Sequence, residues 1–432
     1  MRRKKINKSK KKKNTPIVSA IIALIIICAI GYYLYNQDQT KKELLQEKKH
    51  YLDIISHYNK LVITNKDINL YQKKDNKFIK VGTVKNNEVL SLIEKELTYQ
   101  DDFLEVSTFD NNYYINYKDV DVFKENNSEN LTNERYKNYI PFNENIITND
   151  ITNFYNEDDT LVYKLNKSYE LKIIVKENDK YGVEFNNKLL YVKKEDVTST
   201  KESKNTDKSN TPSIAVLNYH FFYDETDESA VKECQQIICH SKTLFRSHLE
   251  FIKNNSIFTP TMKEFEQYLN GKIRLPKSVL ITIDDGWRMY DGIDLLEEYK
   301  LNATVFLITS WFKNEITFLD DYQYVEFHSH GDNLHTAGAC PGGQGGSIKC
   351  ANKDKLLNDL ALSRKKLKNT TYFCYPFYEY NNYSIQVLKE AGFTLSFAGG
   401  FRRAKSTDNR YALPRYVIYN NTTANDLKNY IG

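Results

Sequence analysis

Several kinds of residue are missing from long parts of this 432-residue chain, and each absence limits what that part can be. Residues 17–35 contain no charge, and residues 1–16 contain no acid beside their nine Lys and Arg. Residues 198–213 contain no apolar residue except one proline, so they are predicted to be a linker that cannot bury enough surface to fold. The chain has only 16 glycines, and 41% of its residues are hydrophobic. This composition fits globular domains.

The uncharged segment 17–35 is long enough to cross a membrane. Its nineteen residues would extend about 28 Å as a helix, close to the ~30 Å hydrocarbon core. Tyr32, Tyr33 and Tyr35 lie where an interfacial aromatic belt is expected. The basic residues 1–16 precede the span, so the positive-inside rule predicts a cytoplasmic tail, a single-pass anchor and an extracellular remainder. A cleaved signal peptide is the alternative, but no Ala-x-Ala-like site follows the apolar run.

The region after the span combines one charged helix with two β-rich segments. Residues 40–61 have an imperfect apolar stripe and are predicted to form a helical stalk. Residues 62–125 and 139–197 are rich in Tyr, Phe, Val and Ile with Asn-containing turns, which predicts short antiparallel strands. Their similar order of turns and strands suggests two small all-β barrels resembling bacterial SH3-type modules. Such modules often bind cell-wall peptide or glycan, and a spacer role is the alternative.

Charge and the C-terminal pattern narrow the class of protein further. The formal net charge is +5, but a basic tail on a mildly acidic body argues against nucleic-acid binding.

Residues 214–432 alternate strand-like and helical stretches, which predicts an α/β domain with a parallel sheet, of the (β/α) barrel kind.

The most informative strand of this domain, residues 278–283, runs directly into Asp284 and Asp285. Ligands bind at strand ends in parallel sheets. Adjacent carboxylates repel each other unless a cation lies between them or one takes a proton. The pair therefore predicts a base and a metal ligand, and a polar Asp-Gly turn is the alternative.

Three of the eight histidines of the chain lie within eight positions, at His328, His330 and His335. Strand alternation puts Glu326, His328 and His330 on one face, and a glycine-containing loop can return His335 toward His330. Two imidazoles and one carboxylate, with a position open for water, are typical of a catalytic zinc site. The sequence therefore predicts a divalent metal, with Zn²⁺ as the first candidate.

These stretches resemble the motifs of the NodB-type polysaccharide deacetylases. The resemblance covers roughly residues 214–432, and the spacing of the second motif is similar to the branch that acts on poly-N-acetylglucosamine. It implies a distorted (β/α) barrel with the site at the carboxyl ends of the strands. The four motifs are Thr282-Ile-Asp-Asp-Gly286, Ser329-His330 with Leu334-His335, Phe373-Cys-Tyr-Pro-Phe377, and Leu413-Pro-Arg415.

The resemblance also implies roles for individual residues in amide hydrolysis. Asp284 would be the general base, and Arg415 would orient it and keep it ionised. The backbone N–H of Phe377 would be an oxyanion donor. His328 is a rival metal ligand that fits the second motif less well. The implied metal ligands are Asp285, His330 and His335.

Two positions depart from the usual pattern of the family. The third motif commonly begins with Arg, whereas Tyr375 stands there. The usual acid histidine comes late in the chain, and no histidine follows His335. The poly-N-acetylglucosamine branch is similar to this chain in having the acid on the first strand, which makes His220 the candidate acid. A buried structural histidine is the alternative at that position.

The six cysteines have different predicted states. Outside the membrane disulfides are permitted, so two short-range bridges are predicted, Cys234 with Cys239 and Cys340 with Cys350. A second metal site is disfavoured because the spacing is not Cys-x-x-Cys. Cys374, in an apolar strand, is predicted to be a free buried thiol, and Cys28 lies in the span.

Together these features predict a membrane-anchored, extracellular, metal-dependent N-deacetylase of glycan that contains N-acetylglucosamine. The single anchor and the wall-type modules favour peptidoglycan as its substrate. An exported poly-N-acetylglucosamine is the first alternative, favoured by the second-motif spacing. An inactive wall-binding scaffold is the second.

Overall fold

The computed structural model describes the chain in seven segments, beginning with the long helix α1 (Thr15–His57). Side chains within α1 are described from residue 24 to residue 56. In the part of the chain that the structure describes, no helix combines the length and the apolar character that a membrane crossing requires. The side chains of residues 17–23, within the predicted span 17–35, lie outside the described set. The segments are 15–57, 60–93, 102–107, 112–123, 134–203, 210–312 and 316–432.

Fourteen strands among the described residues follow α1, and all of their described pairings are antiparallel, as expected for the β-rich segments. The first seven are β1 (Leu61–Thr64), β2 (Ile68–Lys74), β3 (Lys77–Val84), β4 (Val89–Leu92), β5 (Phe103–Ser107), β6 (Asn112–Asn116) and β7 (Val120–Val122). The next seven are β8 (Glu144–Thr148), β9 (Thr152–Tyr155), β10 (Leu161–Leu165), β11 (Glu170–Lys176), β12 (Lys180–Phe185), β13 (Lys188–Lys193) and β14 (Val197–Glu202).

Two compact units divide these strands in a way that the sequence did not indicate. The first unit contains β1–β7, β9 and β10, and the second contains β8, β11, β14 and most of β12. β10 pairs with β3, with Tyr163 opposite Val84, so strands of the predicted second module extend the sheet of the first. Hydrogen bonding along exposed strand edges decides this pairing, and composition does not reveal which edge a strand will join.

The predicted stalk, residues 40–61, is helical as expected as far as His57, but it is not a separate helix. It continues the same helix that begins at Thr15, and the helix ends at His57. Its last turns pack on the first unit, where Ile55 is buried and the Tyr51 hydroxyl donates to the Val120 carbonyl at 2.9 Å. The end of the imperfect apolar stripe near Ile55 is therefore covered by this unit.

The predicted linker, residues 198–213, is partly ordered as strand. Residues up to Glu202 belong to β14, which pairs with β8. Its side chains from Thr198 onward are exposed. An edge strand held by backbone hydrogen bonds needs few apolar side chains, which is why composition alone predicted a linker here.

The second unit continues into the α/β domain, in which strands and helices alternate as expected. Its strands are β15 (Ala215–Tyr219), β16 (Phe221–Tyr223), β17 (Cys239–Ser241), β18 (Val279–Asp285), β19 (Ala303–Leu307), β20 (Val325–Ser329), β21 (Tyr372–Cys374), β22 (Leu395–Phe397) and β23 (Tyr416–Val417). Its helices are α2 (Glu228–Glu233), α3 (Lys242–Asn254), α4 (Met262–Leu269), α5 (Tyr290–Tyr299), α6 (Lys353–Lys366), α7 (Asn382–Glu390) and α8 (Ala424–Ile431).

Seven of these strands form one parallel sheet in the order β22-β21-β20-β19-β18-β15-β23. Every residue of β15, β18 and β19 is buried, as expected for central strands covered on both faces. Among the described residues, no pairing joins β22 to β23, so the hydrogen-bonded ladder is an open, barrel-like sheet. Its central strands bring the carboxyl ends of β15, β18 and β20 to one edge.

Candidate active site

The end of β18 places two carboxylates at this edge. Asp284 and Asp285 are the last two residues of the strand, and both are buried. Asp285 has a left-handed backbone with φ of 72°, and Gly286 continues it with φ of 91°. A left-handed conformation costs a non-glycine residue about 1–3 kcal/mol, and such strain concentrates at functional sites.

Asp285 lies beside two of the three clustered histidines. Its Oδ1 atom is 3.3 Å from His330 Nε2 and 3.5 Å from His335 Nε2. One ligand atom from each residue lies within 4.8 Å of the others. Asp285 Oδ1 is buried and makes no hydrogen bond among the described residues. This unsatisfied oxygen between two imidazoles fits a divalent cation, so the three residues form a candidate metal centre.

Contacts outside this centre orient the histidines as ligands. His330 Nδ1 lies 2.9 Å from the Cys374 carbonyl oxygen, a partner that only an N–H can satisfy. That bond places the proton on Nδ1 and leaves the Nε2 lone pair toward Asp285, the arrangement typical of metal-binding histidine. Burial lowers the pKa of His335, which favours the neutral form that binds metal.

His328 and Glu326 lie apart from this centre, although strand alternation placed them on one face with His330. His328 Nδ1 is 2.7 Å from the Thr370 hydroxyl, and its Nε2 is 3.5 Å from Glu326. Glu326 accepts a hydrogen bond from the Met262 backbone. β20 ends at Ser329, so the alternation stops before His330. The rival assignment of His328 as a ligand is therefore not the arrangement observed.

Asp284 has a different set of partners. Arg415 donates to both of its carboxylate oxygens at 2.8 Å, and the Cys374 thiol is 3.3 Å from Oδ2. Burial alone would raise the pKa of Asp284, but the charge and hydrogen bonds of Arg415 outweigh it and hold the pKa well below its usual range. The carboxylate therefore stays ionised. Oδ2 accepts from both Arg415 and the Cys374 thiol, whereas Oδ1 keeps a second lone pair after binding Arg415 and is the oxygen able to accept a proton.

Asp284, His330 and Cys374 form a second grouping with ligand atoms equally close together. Its occupation by a cation is unfavourable for two reasons. The Arg415 guanidinium lies 2.8 Å from both Asp284 and the Cys374 sulfur, so its charge would repel the ion. Burial also raises the pKa of the Cys374 thiol, which keeps it protonated. Cys374 is a free buried thiol, as predicted.

His220 directly follows β15 and faces the same cavity. Its Nε2 is 3.2 Å from the Tyr378 hydroxyl, which donates to Asn218 Oδ1 at 2.8 Å. With that hydroxyl proton used, Nε2–H donates to Tyr378, and the buried Nδ1 makes no hydrogen bond among the described residues. Burial lowers the pKa of His220, against the opposing effect of Asp284 and Asp285. The imidazole is therefore neutral near neutral pH.

Phe377 also lines the cavity, and its ring lies 4.3 Å from the His335 ring, centroid to centroid. Phe377 and Tyr378 both have left-handed backbones, with φ of 57° and 62°. Two successive strained residues reverse the chain directly after Pro376. The local backbone is therefore built for a specific orientation beside the metal centre.

A cavity of about 770 Å³ joins these groups. Several of its lining residues were not predicted from the sequence, among them Tyr378, Trp287, Gln344 and Trp311. Tyr378, Trp287 and Gln344 stand next to or near recognised motifs, and adjacency to those motifs was the available signal. Trp311 had no such signal, because the pairing of β19 with β20 brings it close only in three dimensions. The lining residues include His220, Phe221, Asp284, Asp285, Trp287, Trp311, His330, His335, Gln344, Phe377 and Tyr378.

Both predicted disulfides are present. Cys234 bonds to Cys239, and Cys340 bonds to Cys350. The first closes a loop that contributes Gln236 to the cavity, and the second closes the loop that contributes Gln344.

Comparison with known proteins agrees with the motifs. Residues 272–396 match the family model for polysaccharide deacetylase. The poly-β-1,6-N-acetyl-D-glucosamine N-deacetylase of Staphylococcus aureus strain N315 is 25% identical over 250 residues, which cover 51% of this chain and 83% of that protein.

Solved structures with similarity to the chain include the following two. The Streptococcus pyogenes deacetylase PplD in complex with acetate is 20% identical with a TM-score of 0.45, covering 52% of this chain and 100% of its own. IcaB from Ammonifex degensii is 20% identical with a TM-score of 0.42, covering 52% and 99%. The family match and the four motifs identify the C-terminal part of this chain as a polysaccharide deacetylase domain, which belongs to the hydrolases.

Proposed function

We propose that this protein removes acetyl groups from the N-acetylglucosamine units of a poly-β-1,6-linked polysaccharide. The observation that carries the proposal is the centre of Asp285, His330 and His335, which opens into a cavity beside an ionised second carboxylate. The S. aureus relatives are named for this substrate, and the second-motif spacing favours the same branch. We therefore replace peptidoglycan, the substrate first expected, by its alternative.

The chemistry of the site follows from its donors. A divalent cation held by Asp285, His330 and His335, with Zn²⁺ as the first candidate, would supply Lewis-acid activation for hydrolysis of the amide. Asp284 accepts the proton of the attacking water, and Arg415 keeps it ionised and in position. The Phe377 N–H stabilises negative charge that develops on the carbonyl oxygen. The carbon–nitrogen bond then breaks, giving acetate and a free amine.

The departing amine needs a proton, and His220 is the proposed donor. It lies at the end of β15 on the cavity wall, and no histidine follows His335 in the chain. Its Nε2–H is used by Tyr378, which fixes the ring, so the free Nδ1 is the atom that would take up a proton and present it to the amine from a constant position.

We also propose where in the cell the enzyme acts and which segments hold it there. Segment 17–35 is proposed to anchor it in the membrane, with the catalytic domain outside. The β-rich segments 62–125 and 139–197 are proposed to be SH3-like elements that bind glycan. A variant lacking residues 1–35 should leave the membrane fraction, and one that remained there would exclude this anchor. Equal polymer binding by the full-length protein and by a chain that begins at residue 198 would exclude glycan binding by those segments.

Acetate release from two polymers tests the catalytic proposal. The full-length protein, loaded with Zn²⁺, is given poly-β-1,6-N-acetylglucosamine and peptidoglycan in parallel. We expect acetate from the first, and we expect chelation to abolish it. Preferential release from peptidoglycan would restore the original expectation, and no acetate from either would favour the inactive scaffold.

His330→Ala and His328→Gln form a matched pair for the metal centre. Both remove a clustered imidazole, but only His330 lies beside Asp285. We expect the first variant to lose bound metal and the second to keep it, as measured by elemental analysis after dialysis. Retention of metal by His330→Ala would overturn the proposed ligand set.

A further inference from the structure

One wall of the cavity is a loop closed on itself by the disulfide Cys340–Cys350. The loop contains four glycines and contributes one polar side chain, Gln344, to the cavity. Gln344 is exposed, and within the described part of the chain its carboxamide makes no hydrogen bond. A carboxamide both donates and accepts hydrogen bonds, so it can bind the hydroxyl or acetamido groups of a sugar.

Glu379 holds this loop at several points. Its carboxylate accepts hydrogen bonds from the backbone N–H groups of Gln344 and Gly346, the latter at 2.8 Å. Lys349, from the same loop, makes an ion pair with it at 2.8 Å. The Glu379 side chain is only 14% exposed. Charge-assisted bonds to backbone in a largely buried position are stronger than ordinary ones, so the loop is fixed next to the residue that it presents.

The glycines of the loop allow this close approach. A Cβ atom on Gly343 would lie 1.9 Å from Glu379 Oε1, and one on Gly345 would lie 2.6 Å from the Cys340 carbonyl oxygen. Both residues also have left-handed backbones, with φ of 60° and 76°. A side chain at Gly343 would push the loop away from Glu379, and one at Gly345 would collide with the backbone of Cys340, so both glycines are needed for the observed path of the loop.

Glu379 also connects the loop to the part of the cavity wall that Phe377 and Tyr378 form. Glu379 follows directly after Phe377 and Tyr378, and its own N–H donates to the Pro376 carbonyl at 3.2 Å. A Cβ on Gly346 would lie 3.4 Å from a ring carbon of Phe377. Gln344 is therefore held at a fixed position relative to Phe377 and the candidate metal centre, and its loop does not move independently of them.

We propose that the disulfide-closed loop 340–350 positions the polysaccharide, with Gln344 binding a sugar unit and Glu379 acting as the positioning residue that holds Gln344 in place. This inference rests on the proposed deacetylation of a β-1,6-linked polymer. It adds a specificity-determining contact outside the metal centre. A substrate too small to reach the loop gains nothing from the contact.

Steady-state kinetics on two substrates test the role of Gln344. With a β-1,6-linked N-acetylglucosamine pentamer, Gln344→Ala should raise KM about three- to tenfold, the scale of one neutral hydrogen bond, with kcat nearly unchanged. With a small aryl acetate ester, the same variant should match the unsubstituted protein. Gln386→Ala, a glutamine of α7 whose side chain bonds Glu390, is the matched control and should change neither substrate.

Two further variants test the groups that hold the loop in place, separately from the sugar contact proposed for Gln344. Glu379→Gln and the double variant Cys340→Ser/Cys350→Ser should each raise KM for the pentamer while the ester rate is kept. A KM for Gln344→Ala within twofold of the unsubstituted value, in an enzyme that deacetylates the pentamer, would overturn this inference alone. If the unsubstituted enzyme hydrolyses the ester but releases no acetate from the pentamer or the polymer, the proposed function fails and the inference fails with it.

Discussion

On one side of the β18 terminus, the charge of Asp284 is paired with a buried arginine, although the carboxylate also lines the cavity. On the other side, Asp285 lies among polar atoms that face the cavity. Its Oδ1 atom has no hydrogen-bond partner among the described residues. Arg415, which is fully buried, binds both oxygens of the first carboxylate. Two histidine Nε2 atoms approach the second from 3.3 and 3.5 Å.

The difference shows how one strand end gives two identical side chains separate electrostatic surroundings. A buried carboxylate without compensation would take up a proton, and Arg415 prevents this at Asp284. Among the described residues, Asp285 is paired with histidines and with no Lys or Arg, so an added metal is the natural compensation. The left-handed backbone at Asp285 marks the point where the two surroundings diverge.

The largest expected effect comes from removing the proton acceptor on the paired side. Asp284→Asn keeps the size of the side chain, and we expect turnover to fall by about 10²–10⁴, the usual scale of general base catalysis. Metal content should remain unchanged, because Asp285 supplies the ligand. Elemental analysis and acetate release on the same sample measure both quantities. Loss of metal from Asp284→Asn would mean that the two carboxylates have the opposite roles.

The second effect concerns stability. Arg415→Met should lower the free energy of unfolding by about 3–5 kcal/mol, because it leaves the Asp284 charge buried and uncompensated. Arg402→Met is the matched control, since Arg402 pairs with Asp408 but its side chain is 52% exposed, and the loss there should stay below about 1 kcal/mol. Urea unfolding followed by tryptophan fluorescence reports on this domain, because the only two tryptophans, Trp287 and Trp311, lie in it. Equal losses in the two variants would show that burial of the Asp284 pair has no special importance.

A third effect tests the cavity side for a proton donor. We expect His220→Ala to lower turnover of the amide substrate about 10²-fold, because the amine then leaves without its proton. An acetyl ester with a good leaving group needs no such proton and should lose much less. Metal content should be unchanged. Near-full amide turnover across the pH profile would make His220 a structural residue.

Local patterns predicted the site far better than they predicted the division of the chain. Asp285 and His330 could be recognised because chemistry restricts which residue types hold a metal at a strand end. The pairing of β10 with β3 could not be predicted, because any exposed strand edge offers the same backbone groups. Glu379 was also missed, since its role arises from contacts with a loop some 30 residues earlier in the chain.

His240 sharpens the comparison, because both of its ring nitrogens are buried without a hydrogen-bond partner among the described residues, yet it does not line the cavity. Its ring packs against Tyr219 and Phe222. Burial lowers the pKa of His240 to about 3, with smaller contributions from His248 and His220. This imidazole is therefore expected to affect stability rather than metal binding.

The sign of the pH effect follows from the lowered pKa. An unfolded histidine binds a proton below about pH 6.5, whereas folded His240 does not until about pH 3, so acid favours the unfolded chain. The stability that neutral His240 contributes is fully present above about pH 6.5. It is lost as the pH falls, by about 2 kcal/mol between pH 7 and pH 5. His240→Phe should remove that part of the acid loss in urea unfolding. His50→Phe, at an exposed position of α1, should not. The same acid loss in His240→Phe as in the unsubstituted protein would show that this buried imidazole does not control it.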